Sequence, residues 1–292
     1  MSVAETVENI ERVGIVGSGI MGAGIAELCA KADCDVRVAV SSDNSLQTGP
    51  ARLARSLDRA VDKGKLTSKQ RDEALCRIAF TRDLGELGDR QLVIEAVKED
   101  EALKLDLFAS LDKIVQSPDA IFASNTSSLS VARLAQATSR PERVIGIHFF
   151  NPAPVLPLVE IVDSIVTDPL VSDRAEEFVV GRLGKTAIKS PDRAGFVVNA
   201  LLFPYLLSAI RMVDSGLATA EVVDRGMTLG CSHPLGPLQL ADLIGLDTTI
   251  SIAEAMYEEF KEPLYAPPAL LLRMVEAGLL GKKSGRGFYF YA

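Results

Sequence analysis

The chain has 292 residues, of which 48% are hydrophobic and 24% charged, enough material for a large core and unlike any disordered composition. Its formal net charge of −8 argues against a nucleic-acid binder, whose footprint is a basic face. Four cysteines (Cys29, Cys34, Cys76 and Cys231) have neither C-x-x-C spacing nor a histidine cluster, so no metal site and no disulfide framework is expected, only free thiols in a reducing, cytoplasmic setting.

The first eleven residues are polar and acidic, without the apolar core of a signal peptide. Residues 12–17 form a β-branched run ending in glycine, a helical pattern follows to about Lys31, and residues 35–40 read as a second strand. Residues 44–77 hold no strand signal. They read as a helix, a break at Gly64, and a second helix with Thr67 as N-cap, all inserted between strands two and three. Strand signals resume at residues 91–96, 120–124, 143–147 and 156–162, with helical segments between them, for instance residues 101–115. Alternation of this kind is the mark of a parallel α/β sheet. The apolar run 195–210 is broken by Asn199, Pro204 and Ser208, which suits a buried helix rather than a membrane span. Helical patterns continue to about Ala277, and a short strand-like piece at 287–291 closes the chain. The expected architecture is α/β: a Rossmann-type doubly wound sheet with an inserted helical pair (residues 1–190), then an all-helical C-terminal domain (residues 191–292).

Gly17-Ser18-Gly19-Ile20-Met21-Gly22 fits G-x-G-x-x-G directly after a strand and at the opening of a helix. The first glycine allows a tight turn, the second admits a pyrophosphate, and the third lets helix pack on strand, so a dinucleotide site is expected here. The acid that normally ends the second strand and binds the adenosine ribose is missing, and Val40 stands in its place. Its loss removes repulsion toward a 2′-phosphate, but no Arg or Lys follows Val40 to attract one, so NAD stays favoured.

Ser124-Asn125-Thr126-Ser127-Ser128 lies at the end of another strand, where either a ligand site or N-capping of the next helix would use such residues. Arg52, Arg55 and Arg59, followed by Lys63 and Lys65, make a basic stripe that reads either as a solvated helix face or as a handle for a phosphate-rich substrate. His148 is one of two histidines and stands in R-V-I-G-I-H-F-F-N-P at a strand end, with Glu160 on the following strand-like run. A carboxylate so placed would orient the imidazole and stabilise its protonated form, which makes the two a general base with its partner. His233, in S-H-P-L-G-P, reads as structural. The glycine-rich tail around Lys282 and Lys283 reads as a loose terminus or a phosphate contact.

Taken in order, G-S-G-I-M-G-A-G-I-A, V-I-E-A-V-K-E-D, A-S-N-T-S-S-L, H-F-F-N-P, G-F-V-V-N-A-L-L-F-P-Y, S-H-P-L-G-P and G-K-K-S-G-R-G-F-Y resemble the L-3-hydroxyacyl-CoA dehydrogenase family over nearly the whole chain. The likeness is greatest to its stand-alone bacterial 3-hydroxybutyryl-CoA dehydrogenases, since no hydratase domain is attached. The resemblance implies NAD as cofactor, an acyl-CoA substrate, no metal, no membrane, and a homodimer formed through the helical domain. It implies His148 as catalytic base, Glu160 as its orienting partner, and Ser127 and Asn199 as hydrogen-bonding groups for the reacting oxygen. It places Glu99, Lys104 and Asn151 at the nicotinamide half of the cofactor, with Gly17, Gly19, Ile20, Met21 and Gly22 at the pyrophosphate. Ser56 and Lys63 fall on coenzyme A contacts, and Lys283 on a lysine near both ligands. Two rival readings remain open. One is a dehydrogenase of free 3-hydroxy acids, whose members use a lysine where this chain offers Asn199 and lack H-F-F-N-P. The other is a crystallin-like relative that keeps the fold without turnover, a reading that Val40 favours and the complete set His148, Glu160, Ser127 and Asn199 opposes.

Overall fold

The protein is represented by a computed structural model, which describes residues 9–291. The chain divides into two compact units, Met1–Asp192 and Arg193–Ala292.

In the first unit, β1 (Arg12–Val16) leads into α1 (Ile20–Lys31) and β2 (Asp35–Ala39), followed by the inserted pair α2 (Asp43–Asp62) and α3 (Ser68–Cys76). Then come β3 (Ile78–Thr81), β4 (Leu92–Glu95), α4 (Glu101–Ile114), β5 (Ile121–Ser124), α5 (Val131–Ala135), β6 (Val144–Phe149), β7 (Leu158–Asp163), α6 (Pro169–Glu177) and β8 (Thr186–Pro191). They build an eight-stranded sheet in the order β3-β2-β1-β4-β5-β6-β7-β8. The first six strands are parallel and follow the 3-2-1-4-5-6 order of dinucleotide-binding sheets, whose ligands lie outside the carboxyl ends of the strands. Strand β7 runs antiparallel to β6, and β8 parallel to β7. The central strands are buried throughout, as β4, β5 and β6 illustrate, because helices cover both faces of such a sheet.

Strands β3 and β8 were not anticipated. Both are edge strands, and edges carry weak signals because one flank needs no hydrogen-bonding partner and one face stays wet. Ile78–Thr81 is four residues with one buried side chain, and Thr186–Pro191 buries only Ser190. The inserted pair forms as its caps dictate. Ser42 accepts from Ser45 N at the start of α2, and Thr67 and Gln70 form a reciprocal capping box at the start of α3. Leu53, Leu57 and Ala74 turn inward, which leaves the polar faces of the pair outside.

The second unit contains α7 (Val198–Asp214), α8 (Ala220–Gly230), α9 (Pro237–Ile244), α10 (Leu246–Phe260) and α11 (Ala269–Glu276). Leu206, Leu207, Ile210, Leu238, Leu246 and Leu271 form its core. Two buried carboxylates organise the rest. Asp224 accepts from Leu238 N and Gln239 N and so caps α9, while also receiving the Tyr289 hydroxyl. Asp242 accepts from Phe288 N and Tyr289 N, both at 3.0 Å, and from the Tyr291 hydroxyl. That corrects the expected closing strand: the Phe288 and Tyr289 amides are spent on Asp242, and the tail makes isolated bridges, Gly281 to Arg286 and Arg286 to Phe290, in place of a strand. No helix among the described residues is long and apolar enough to cross a membrane.

Candidate active site

The glycine turn has the geometry that a pyrophosphate needs. Gly17 follows β1 with φ +105°, and a Cβ there would lie 2.6 Å from the Ala96 carbonyl oxygen. At Gly22 a Cβ would lie 2.1 Å from the carbonyl oxygen of Gly17, so helix and turn approach as closely as glycine permits. Gly19 differs, because a side chain there would meet no protein atom within 4 Å. The open space lies where α1 begins. No side chain caps that helix end and no acid stands in its first turn, so its amides and dipole face outward for an anion. Ile20 is largely exposed there and Met21 half-buried.

Beside this turn, at the carboxyl ends of β4 and β5, a buried ionic cluster shapes the sheet edge. Lys104, on α4 and 1% exposed, reaches Glu95 at 3.1 Å and is also bonded to Glu99. Glu95 in turn receives Ser124 Oγ at 2.6 Å and Val97 N at 2.7 Å. Burial works hardest against ionisation of Glu99, yet the Lys104 ammonium and bonds from Thr126 and Ser127 outweigh it and hold the carboxyl below its ordinary value.

The five small polar residues after β5 divide their labour. Ser124 serves Glu95; Asn125 Oδ1 accepts from Phe149 N at 2.9 Å and ties the loop to β6. Thr126 donates to Glu99 and accepts from Ser128 N and Leu129 N. Ser128 Oγ donates to Glu99 at 3.2 Å. Capping of α5 falls to Ser130 and Asp192, the latter accepting from Val131 N and Ala132 N. Ser127 alone keeps its hydroxyl without a partner among the described residues, half-buried and with its N–H on Glu99 at 3.1 Å.

His148 and Glu160 stand directly opposite each other in the antiparallel β6–β7 pairing, so both side chains leave the same face of the sheet. Nδ1 lies 2.7 Å from Glu160 Oε2, with His148 6% exposed and Glu160 wholly buried. A buried carboxylate at this distance fixes the ring's orientation and favours the tautomer with its proton on Nδ1. Phe150 packs edge-on to the imidazole at 4.7 Å. Asn151 is exposed in the turn that follows, just after the carboxyl end of β6.

The inserted pair modifies one expectation. Arg52 does not continue an outward stripe: it turns to the glycine loop and donates to the Ser18 carbonyl. Arg55, Arg59 and Lys63 are exposed and form no ion pair among the described residues, with half-buried Ser56 beside them on α2. Val40 is 7% exposed and packs within the hydrophobic core, with its N–H on the Thr81 carbonyl. Sequence spacing could not reveal Arg52's role, since Arg52 and Ser18 lie 34 residues apart and only the packing of α2 joins them.

In the second unit, Asn199 is buried in the first turn of α7, just after Gly195 and Phe196 take positive φ. Lys283 is exposed and paired with Asp247 at 2.6 Å. His233 stacks edge-on with Tyr205, whose hydroxyl lies 3.2 Å from Nδ1, in keeping with a structural role.

Known proteins with these features are close in sequence and structure. The NAD-binding domain of 3-hydroxyacyl-CoA dehydrogenase matches residues 12–193, and the C-terminal domain of 3-hydroxyacyl-CoA dehydrogenase matches residues 195–291. The chain is 59% identical over 282 residues to the 3-hydroxybutyryl-CoA dehydrogenase of Mycobacterium tuberculosis strain H37Rv, an alignment covering 97% of this chain and 99% of that one. Among solved structures, M. tuberculosis FadB2 superposes with a TM-score of 0.97 at 58% identity, over 98% of this chain and 100% of the other. The (S)-3-hydroxybutyryl-CoA dehydrogenase PaaH1 of Ralstonia eutropha does so with a TM-score of 0.92 at 45% identity, over 97% and 100%.

Proposed function

The chain belongs to the 3-hydroxyacyl-CoA dehydrogenase family, and from that premise we propose that His148 is the base through which it oxidises an L-3-hydroxyacyl-CoA. The protein is an oxidoreductase with an NAD-binding domain, and its substrate in this reading is 3-hydroxybutyryl-CoA, interconverted with the 3-ketoacyl-CoA. The residues present suit a dinucleotide: Gly17 and Gly22 close the turn, and Gly19 leaves the pyrophosphate its space. Bound NAD supplies hydride exchange at its nicotinamide.

The chain's own part is to bind, orient and move a proton. In the oxidative direction His148 Nε2 takes the hydroxyl proton, and in the reductive direction it returns it. Glu160 stabilises the imidazolium that forms, and the single observation carrying this role is the buried 2.7 Å contact at Nδ1. Ser127 directs its uncommitted hydroxyl to the reacting oxygen, which supplies part of the orientation that makes the transfer effectively unimolecular. Glu99, Lys104 and Asn151 hold the nicotinamide end. Ser56 and Lys63 receive coenzyme A, Lys63 offering an unpaired cation at the C-terminal end of α2. Asn199 and Lys283 complete the assignment on the strength of the family likeness.

A homodimer formed through the helical unit belongs to the same proposal. Leu201, Leu217 and Leu229 of that unit are each more than 70% exposed, a condition that self-association would relieve. A cytoplasmic setting agrees with four unpaired cysteines. The purified protein should oxidise NADH with acetoacetyl-CoA and not with free acetoacetate. Turnover of acetoacetate at a comparable kcat/KM would favour a dehydrogenase of free acids, and turnover of neither would favour a non-catalytic relative.

A further inference from the structure

The turn between β6 and β7 is held by a lysine that the proton transfer does not use. Residues 150–157 connect the two strands, so this turn joins His148 to Glu160. It begins with Phe150, whose ring packs on the imidazole at 4.7 Å. Inside the turn, Val155 N and Leu156 N share the Pro152 carbonyl. The carbonyls of Ala153 and Leu156 accept from Lys185 Nζ, at 2.9 and 2.8 Å. The backbone brings Lys185 there: its N–H is bonded to the Val179 carbonyl, and Thr186 N, which opens β8, is 2.8 Å from the carbonyl of Pro157.

The same turn packs on α1. Gly24 lies so close to it that a Cβ there would fall 3.1 Å from Pro154 Cδ and 3.3 Å from Ala153 Cβ. One helical turn further along α1, Glu27 is 1% exposed, with one oxygen 3.6 Å from Lys31 Nζ. Its other oxygen is buried without a hydrogen-bond partner among the described residues. Burial pushes the Lys185 ammonium below its ordinary value and repulsion from Lys31 adds to this, while Glu27 opposes both. Lys185 is thus a half-buried ammonium kept at a cost, with two of its three N–H groups committed to one turn. Charge-assisted bonds of that kind make it a clamp rather than a solvated charge.

We propose that Lys185 is a positioning residue for the proton transfer: by holding the 150–157 turn on α1 it keeps the His148 ring in line with Glu160 and against Phe150. The inference rests on His148 being the base, and it concerns only what holds that base in place. A displacement of about 1 Å at a reacting group can cost about 10²-fold in rate, and a loosened turn is expected to cost part of that, about tenfold.

Steady-state kinetics with acetoacetyl-CoA at saturating NADH, repeated across pH, test this. Lys185→Met keeps most of the aliphatic stem and removes the ammonium. It should lower kcat about tenfold, leave KM for acetoacetyl-CoA within about threefold, and move the pH profile of kcat/KM toward that of Glu160→Gln. Lys185→Arg keeps a charge and donors for both carbonyls and should recover most of the rate. When Glu160 is already glutamine, Lys185→Met should cost less than about threefold more, because both residues act through one imidazole. Should Lys185→Met fail to fold, Gly24→Ala, which presses on Ala153 and Pro154 from α1, should give the same loss in kcat and the same change of profile. A lysine with a purely structural role would lower Tm and leave kcat and the profile of the folded variant unchanged. That result, or an undiminished tenfold loss in the Glu160→Gln background, overturns the proposal and leaves the dehydrogenase reading intact. A Glu160→Gln protein with wild-type rate and profile would overturn the proton-transfer reading, and this inference with it.

Discussion

Replacing Lys104 by methionine tests the ionic cluster at the sheet edge. The methionine keeps most of the buried aliphatic stem and deletes only the ammonium, which lies 3.1 Å from Glu95 and is bonded to Glu99. Both Lys104 and Glu95 are at most 1% exposed, and breaking a buried pair by removing one partner costs about 3–5 kcal/mol. Glu95 retains Ser124 and Val97 as hydrogen-bond donors, and the side chain of Glu99 is 34% exposed and rehydrates. The loss therefore belongs at the lower end, about 3 kcal/mol, or a fall in Tm of about 6–12 °C for a unit of this size.

Differential scanning calorimetry of the full chain at pH 7 measures it. Lys104→Met with Glu95→Gln should recover part of the loss, because no buried charge is left unpaired. The acid limb adds a sign. The folded carboxyl of Glu99 is held below its ordinary value, so the stability it lends is complete above the ordinary range, near pH 4.3, and is lost as pH falls through the lower folded value. Lys104→Met should flatten that acid loss. A fall in Tm below about 2 °C, or a double variant less stable than the single one, would refute the view of this cluster as a mutually dependent ionic unit.

Glu160→Gln should lower kcat by about 10²-fold and change the pH profile of kcat/KM, since an amide stabilises an imidazolium poorly; an unaltered profile would remove Glu160 from the proton transfer. Lys63→Ala should raise KM for acetoacetyl-CoA by roughly 5–10-fold, and far less for a truncated thioester without the nucleotide; equal effects would mean a solvated helix face. Asp242→Ala should release the tail it holds through Phe288, Tyr289 and Tyr291, seen as faster tryptic cleavage at Lys282, Lys283 or Arg286; unchanged cleavage would show that the tail is anchored elsewhere.

The features that decided the reading are local in the chain. G-S-G-I-M-G sits between a strand and a helix, and its three glycines meet three different steric demands in the structure. His148 and Glu160 are twelve residues apart across a single turn, so antiparallel pairing was the simplest way for them to meet. The inserted pair announced itself through Thr67 and Gly64. What stayed hidden depends on packing or on sheet edges. The edge strands β3 and β8 lack the uniform burial of the central ones, and no sequence pattern separates them from loops. Arg52 looked like one member of a helical stripe because its charge is visible and its neighbour Ser18 is not. Ser127 could not be singled out among five polar residues until the other four were seen to spend their side chains on Glu95, Glu99, β6 and the loop itself.

The central claim is that His148 moves the proton while the rest of the chain binds and orients. Single-turnover oxidation of bound NADH by acetoacetyl-CoA in His148→Gln, followed at 340 nm alongside the Kd for NADH, tests it most directly. The rate should fall by roughly 10²–10⁴-fold, the usual contribution of a positioned acid or base, with the Kd within about threefold of wild type. A near-normal rate in a folded His148→Gln protein that binds NADH normally would contradict it.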